Sequence, residues 1–367
     1  MRIAYVTLHL EKKFVYGGVG RKVRTHLRIW QEMGHEARLF LLSPDEIDLP
    51  DITAFRFSAS RKLALFRALE REIARSQALK KLISEVSAFQ PDIIYLRYGL
   101  FAFPLQRLFE IAPVVVEINT DDVREYRHRG KFFYWLNRLT RGQILHRAAG
   151  FVPISQEIAA LPTIAMFKKP VLVLPNGIDL SVIKPLPAPN NATPRLAFVG
   201  NAGISWNGVD KLITFAEKVP DIQVDLIGYA RTDIPDEDIP ENVVLHGFVS
   251  MDKVREILSG VDVACGTLAL HRKQLEENSA LKVREALAYG LPIILAYNDS
   301  DVSGKDLEFI LQLPNCEENV LQNTERIRDF IYNMVGKRAE RAVVAPLIDQ
   351  RVKEQRRFEF FEQILSS

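Results

Sequence analysis

Short apolar runs alternate with helical patterns along nearly the whole chain, and no other feature restricts the fold as tightly. Strand-like runs occur at 3–8, 36–42, 92–96 and 114–118, and the series resumes at 196–200, 224–227, 243–245, 261–265 and 293–296. Helical patterns at 21–33 and 61–89 lie between the first of them. Strands that are apolar on both faces need cover on both, and crossover helices supply it. The expected class is α/β, with parallel, doubly wound, Rossmann-like sheets. A length of 367 residues accommodates two such domains. We place the first at 1–175 and the second at 176–349, with a terminal helix at 350–367 joined to the first; a helical pattern runs over 346–365. The segment 184–194 is proline-rich, polar and without periodicity, and reads as a natural break.

Composition excludes several classes. There is no run of eighteen apolar residues to span a bilayer. The first ten residues open as a strand and lack the basic head and long apolar core of a signal peptide. Two cysteines, Cys265 and Cys316, are too few for a disulfide framework or a cysteine-based zinc site. No histidine pair has metal-ligand spacing, so no metal is expected. His9 and His246 read as structural. The expected setting is cytoplasmic. Net charge is only +2, yet residues 1–175 hold 27 Lys and Arg against 17 Asp and Glu, while the remainder holds 21 against 29. A basic first half points to an anionic partner. Two segments fit an anionic bilayer: 61–71, which is basic and amphipathic, and 124–141, where Arg127, Arg129, Lys131, Arg138 and Arg141 are mixed with Phe132, Phe133, Tyr134 and Trp135. The competing reading packs those aromatics inward and leaves the cations solvated. No nucleic-acid recognition module is present, so nucleic acid is not expected as a partner.

The densest chemistry lies between Glu277 and Pro292. Glu277 precedes an apolar-periodic run and is expected in a loop, with Glu285 inside the helix that follows. Gly290 stops that helix and Pro292 prevents its return. A loop carboxylate, a helix N-terminus and a second carboxylate suit a ligand with hydroxyls at both ends and phosphates between. The N–H groups of Ser279, Ala280 and Leu281 would face the phosphates and the carboxylates would accept from hydroxyls. A sugar nucleotide is such a ligand. In the first half, Tyr16, Gly17, Gly18, Val19 and Gly20 follow a strand and precede a helix, another place where backbone approaches phosphate closely. Their spacing is not that of a dinucleotide fingerprint. Asn119, Asp121 and Asp122 follow the 114–118 strand, at the edge where ligand sites of α/β sheets gather.

The Glu-x7-Glu pattern of Glu277 and Glu285 resembles the signature of the retaining glycosyltransferases of family four, whose fold is GT-B. The element from Leu172 through Pro175, Asn176, Gly177 and Ile178 to Asp179 is similar to the family's interdomain motif. Phe198 to Gly200, Trp206 to Asp210 and Val244 to Phe248 extend the resemblance over most of 172–297. The first half matches more loosely, through the glycine loop, Met33 to Glu36 and Ala148 to Ser155. The resemblance implies two Rossmann-like domains around a cleft, with the last helix returning to the first domain and a hinge near 184–194.

It also implies transfer of a sugar from a nucleotide-diphosphate donor to a sugar or lipid-linked acceptor with retained configuration, in polysaccharide or glycolipid assembly. The leaving phosphate takes the acceptor's proton, and neither metal nor cofactor takes part. On this reading Glu277 and Asn119 line the reaction centre, and Glu285 binds the ribose. Gly17, Gly18, Asn201, Asn207, Ser279, Ala280, Leu281 and Lys282 bind the donor. Asp121, Asp122, Arg127 and Arg129 lie on the acceptor side. One departure stands out: the family usually places an arginine and a lysine where this chain has Asn201 and Asn207. Asparagine cannot neutralise a diphosphate. Lys282, Arg284, Arg272, Lys273 and Arg21 are the candidate replacements, Arg284 reading as the more solvated of the first two. Two alternatives stay open: a sugar-nucleotide-binding protein that has lost turnover, and a GT-B epimerase. A phosphorylase is disfavoured, because those chains are longer and carry a pyridoxal lysine motif not found here.

Overall fold

The computed structural model describes residues 1–367 other than 9, 50–51, 59–63 and 235–237, and the side chains of 13 and 64–69 also fall outside the described set. His9 and the start of the basic segment 61–71 lie outside the described residues. The chain forms two compact units, Met1–Leu174 with Arg351–Ser367, and Pro175–Gln350.

The first unit carries β1 (Arg2–Thr7), β2 (Glu36–Ser43), β3 (Ile52–Arg56), β4 (Ile93–Arg97), β5 (Val114–Ile118) and β6 (Gly150–Pro153). They pair in the order β3-β2-β1-β4-β5-β6, all parallel. One face is covered by the Ala64–Phe89 helix, with Leu79, Leu82 and Val86 against Phe40, Ile94 and Val116. The other face takes the Gly18–Glu32 helix through Val23, Leu27 and Trp30, together with Phe358 and Phe361 from the end of the chain. The order reverses between β1 and β4, so the loops after these strands flank the crevice where α/β sheets bind ligands.

The second unit carries β7 (Arg195–Val199), β8 (Gln223–Ile227), β9 (Val243–Gly247), β10 (Val263–Cys265), β11 (Glu277–Asn278), β12 (Ile293–Leu295), β13 (Asn298–Asp299) and β14 (Ile310–Gln312). Six of them form a parallel sheet in the order β14-β12-β10-β7-β8-β9. Here the switch lies between β7 and β10. The remaining pair, β11 and β13, makes a short parallel ladder of its own. Glu277 therefore sits in a two-residue strand, not the free loop expected for it.

Three further differences have physical causes. The segment 184–194 is not a break between units. Leu186 is buried in the second unit's core, and its N–H donates to the Tyr289 carbonyl at 2.9 Å. Asn191 donates to the Asp262 carboxylate at 2.8 Å. The prolines shape a strap fixed to the second unit. The helical pattern at 346–365 is divided, because Asp349 adopts extended backbone (φ −64°, ψ 124°) between the Arg341–Ile348 and Gln350–Ser366 helices. Finally, β3, β6 and β14 have no long apolar run to announce them, and β3 is only half-buried.

Candidate functional site

In the second unit the loop after β7 is built around a buried amide. Asn207 is 3 % exposed, and its Nδ2 donates to the Asn201 carbonyl at 3.1 Å and to the Tyr229 hydroxyl oxygen at 2.8 Å. The tightness is steric: at Gly228 (φ +91°) a Cβ would lie 1.9 Å from the Gly200 carbonyl oxygen, so the loops after β7 and β8 meet backbone to backbone. Asn207 Oδ1 then accepts from Lys282 Nζ at 3.1 Å, and that ammonium lies 4.1 Å from the centre of the Phe198 ring. Lys282 stands at the start of the Leu281–Ala288 helix. Burial pushes its amine down to about 8, opposed only in part by Cys265. An ammonium has three N–H groups, and among the described contacts Asn207 takes one. A positive charge thus stands beside Asn207, placed by the asparagine itself. Asn201 is exposed at the rim and contributes its carbonyl inward.

The Glu277 to Glu285 segment is clamped from beneath by Arg284, which is 0 % exposed, the reverse of the solvated position read from the sequence. Its guanidinium reaches Asp299 Oδ2 at 2.8 Å, Asp301 Oδ2 at 2.7 Å, Ser279 Oγ at 2.9 Å and the Asn176 carbonyl at 2.8 Å. Burial works against that charge, and the two aspartates overcome it, raising its pKa. Asn176 returns the contact: its N–H donates to Ser279 Oγ at 2.8 Å and its Nδ2 to the Ser279 carbonyl at 2.6 Å. The Ser279 N–H is taken by Asn278 Oδ1 at 2.8 Å. Ser279 is therefore engaged on every side, while the Ala280 and Leu281 amides open the helix beside Lys282. Glu277 and Glu285 are each half-buried. Asn176 is thus a fixture of this loop, and only the resemblance of the surrounding motif signalled it.

The other cations proposed for the diphosphate have fixed partners. Arg272 pairs with Asp210 at 2.7 Å and with Glu317, and holds the Ser205 carbonyl at 3.0 Å, bracing the loop after β7 from outside. Lys273 lies over the Trp206 ring at 5.2 Å. Arg21, in the first unit, lines with Arg24, Arg28 and Arg38 a cavity of about 720 Å³ along the Gly18–Glu32 helix. His246 pairs with the buried Asp225 at 2.8 Å, in keeping with a structural role.

In the first unit, Gly17 caps the Gly18–Glu32 helix and Gly18 begins it, both half-buried. The glycine with a strict steric demand is Gly20, where a Cβ would fall 1.7 Å from the Val15 carbonyl oxygen. Two residues on, Lys22 Nζ reaches Glu117 Oε1 at 2.6 Å and Asn119 Oδ1 at 3.1 Å. The other Glu117 oxygen accepts from the Tyr5 hydroxyl at 2.9 Å and from Arg97 at 3.1 Å. Burial disfavours the Glu117 charge, but Lys22 and Arg97 hold its pKa well below the usual range. For Lys22 burial prevails over Glu117, lowering it to about 8. Because an ammonium only donates, it fixes Asn119 with Oδ1 inward. Asn119 Nδ2 is buried without a protein partner, a donor awaiting an acceptor.

Its neighbours are occupied. Asp121 caps the Asp122–His128 helix, accepting from Val123 N at 3.0 Å and Arg124 N at 3.1 Å. Asp122 is 2 % exposed and accepts from Arg141 through both oxygens, at 2.7 and 2.8 Å, as well as from Asn137 and Tyr98. Arg127 lies over Tyr134 at 5.1 Å and Arg129 pairs with Glu125 at 2.6 Å, both exposed. Among the described residues no group of three or more His, Cys, Asp and Glu is placed to hold a metal ion, and no helix is long and apolar enough to cross a membrane.

Comparison with known proteins agrees with this layout. Residues 16–182 match the family model described as Glycosyltransferase Family 4, and residues 193–311 match that of Glycosyl transferases group 1. No curated protein matches the sequence. Among solved structures, the sucrose-phosphate synthase of Thermosynechococcus elongatus is similar with a TM-score of 0.69 at 17 % identity, covering 99 % of each chain. The catalytic domain of starch synthase IV from Arabidopsis thaliana, bound to ADP and acarbose, gives 0.65 at 13 % identity over 100 % of this chain and 99 % of that one. Anabaena HepE in complex with UDP and glucose gives 0.62 at 12 % identity over 97 % and 99 %. At these identities the likeness establishes the GT-B fold.

Proposed function

The chain belongs to the family 4, group 1 glycosyltransferases, and from that premise we propose that it moves a sugar from a nucleoside-diphosphate donor to a saccharide hydroxyl, free or lipid-linked, with retention at the anomeric carbon. The observation that carries this reading is Lys282, held by Asn207 at the opening of the Leu281–Ala288 helix. A cation beside free helix amides binds a diphosphate and stabilises it as it leaves. The two asparagines that replace the family's basic pair are thus compensated, which favours a working donor site over a lost one. Glu285 accepts from the ribose hydroxyls, Glu277 from the sugar, and Asn119 Nδ2 donates to a saccharide oxygen. The bond from the anomeric carbon to the phosphate oxygen breaks with its electrons going to the diphosphate. The acceptor oxygen attacks from the same face, and its proton passes to the leaving phosphate oxygen. No metal is needed where the helix amides and Lys282 take the charge. Saccharide or glycolipid assembly is the setting this chemistry serves.

A thermal-shift screen against UDP, GDP, ADP, CMP and dTDP tests the donor site. One nucleotide raises the melting temperature by mass action, and Glu285→Ala and Lys282→Met each remove the shift. If none stabilises the protein at millimolar concentration, the donor reading fails. Proton NMR of the first product formed from the matching sugar nucleotide then reports whether configuration is retained, and added EDTA whether a metal is required.

A further inference from the structure

The Lys131–Thr140 helix of the first unit is turned inside out relative to an ordinary surface helix. Its buried anchor is polar: Asn137 is 1 % exposed, donates to Asp122 Oδ2 at 2.7 Å and accepts from the Tyr98 hydroxyl at 2.8 Å. Its outer face is apolar. Phe132, Trp135 and Leu139 are 72 %, 60 % and 79 % exposed. At helical spacing these three project within an arc of about 60°. Phe133, 42 % exposed, stacks edge-on against Phe132. Soluble surfaces scatter their large apolar side chains, and a contiguous stripe marks an interaction site. The aromatics do not pack inward as the competing sequence reading had it.

Charge identifies the partner. Lys131 and Arg138, seven apart, lie together on one flank of the stripe, and Arg127 and Arg129 stand exposed just before the helix. From Tyr126 to Gln156 the sequence contains six Lys and Arg and no Asp or Glu. A stripe of Phe, Trp and Leu flanked by Lys131 and Arg138, with Arg127 and the Glu125-paired Arg129 just before it, matches the boundary between anionic headgroups and acyl chains. We propose that the Lys131–Thr140 helix seats the first unit on an anionic lipid bilayer, with Phe132, Trp135 and Leu139 inserted and Lys131 and Arg138 at headgroup level. This surface is independent of the donor site, so it stands or falls apart from the reading above.

Flotation of the full chain with vesicles tests it. The protein floats with phosphatidylcholine vesicles containing phosphatidylglycerol and not with phosphatidylcholine alone. The variant Phe132→Ser/Trp135→Ser/Leu139→Ser, and separately Lys131→Glu/Arg138→Glu, reduce the bound fraction about tenfold or more. Both keep the wild-type melting temperature, because none of these side chains is buried. Trp135 fluorescence shifts to the blue on binding, and Trp135→Phe removes the shift. Absence of flotation with phosphatidylglycerol, or undiminished flotation of the triple serine variant, overturns the proposal. So does a wild-type dimer in light scattering that the serine variant converts to monomer, since a second copy would then cover the stripe.

Discussion

At the scale of single residues, the loop after β7 shows how a buried asparagine can place a cation from a distant segment. Asn207 occupies the position where the family carries a lysine, and its amide is buried and fully engaged. Its Oδ1 orients Lys282, which comes from a different segment to the same place. The exchange has a pH signature. Burial lowers the Lys282 amine to about 8, so the ammonium is present below that pH and lost above it. Affinity for a nucleoside diphosphate should hold at neutral pH and weaken about tenfold by pH ~9, each unit beyond the pKa removing roughly 1.4 kcal/mol. Titration calorimetry across that range reads the fall. Lys282→Arg, charged throughout, should flatten the curve, and Lys282→Met should bind weakly at every pH. A wild-type affinity independent of pH would dissociate Lys282 from the diphosphate. The sequence pointed to Lys282 as one cation among five. What it could not convey is that Arg272 is already paired to Asp210 and Glu317, nor that Arg284 is the most deeply buried of the set.

At the scale of elements, Arg284 joins three pieces of chain: the Asn176 turn, the β11–β13 ladder and the Leu281–Ala288 helix. Two-residue strands cannot hold themselves in place, so a buried guanidinium with two carboxylates performs that task. Removing one partner of such a buried network leaves charges unpaired, which costs about 3–5 kcal/mol. Arg284→Met should lower the stability of the second unit by about that amount in chemical denaturation, and Arg284→Lys should not restore it, because an ammonium lacks the planar fork. A loss under about 1 kcal/mol would mean that the ladder is held by something else. Element type was largely legible beforehand. Runs of Val, Ile and Leu announced β1, β2, β4, β5, β7, β8 and β12, and Gly290 with Pro292 announced a helix stop that the backbone confirms at φ +81°. The two-residue strands β11 and β13, and a half-exposed one like β3, leave no periodicity to read.

At the scale of the molecule, the chain ends where it began. The Gln350–Ser366 helix packs Phe358 and Phe361 against Trp30 and Tyr95, and its Glu354 accepts from Trp30 Nε1 at 2.5 Å. Arg357 pairs with Glu354 at 2.7 Å and contacts the Tyr95 hydroxyl. His26 sits in the same packing, 1 % exposed, 3.7 Å from Glu354. Burial lowers His26 to about 3 despite Glu354, while Arg357 and Lys22 lower it further. The folded state therefore refuses a proton that the unfolded chain takes up below about 6.5. Stability of the first unit is full above that pH and declines as pH falls toward 3, by about 1.4 kcal/mol per unit. His26→Phe keeps a ring among Tyr5 and Trp30 and removes the titration. Calorimetry between about pH 7 and pH 4 should show a falling transition in the wild type and a flatter one in the variant. Parallel slopes would assign the acid sensitivity elsewhere.

Local patterning thus determined the α/β class, the parallel sheets and the segments proposed to carry donor chemistry. Apolar periodicity, glycine stops and the paired glutamates are all properties of neighbouring residues. Tertiary structure alone decided which charges are free and which are bound, because a side chain's partner is set by contacts far along the chain, 75 positions for Lys282 and Asn207 and 324 for Trp30 and Glu354. It also decided the direction of the aromatics on the Lys131–Thr140 helix. Both faces of that helix carry polar and apolar residues, and the buried carboxylate of Asp122, which demands a hydrogen-bond donor, draws Asn137 inward and leaves Phe132, Trp135 and Leu139 facing outward.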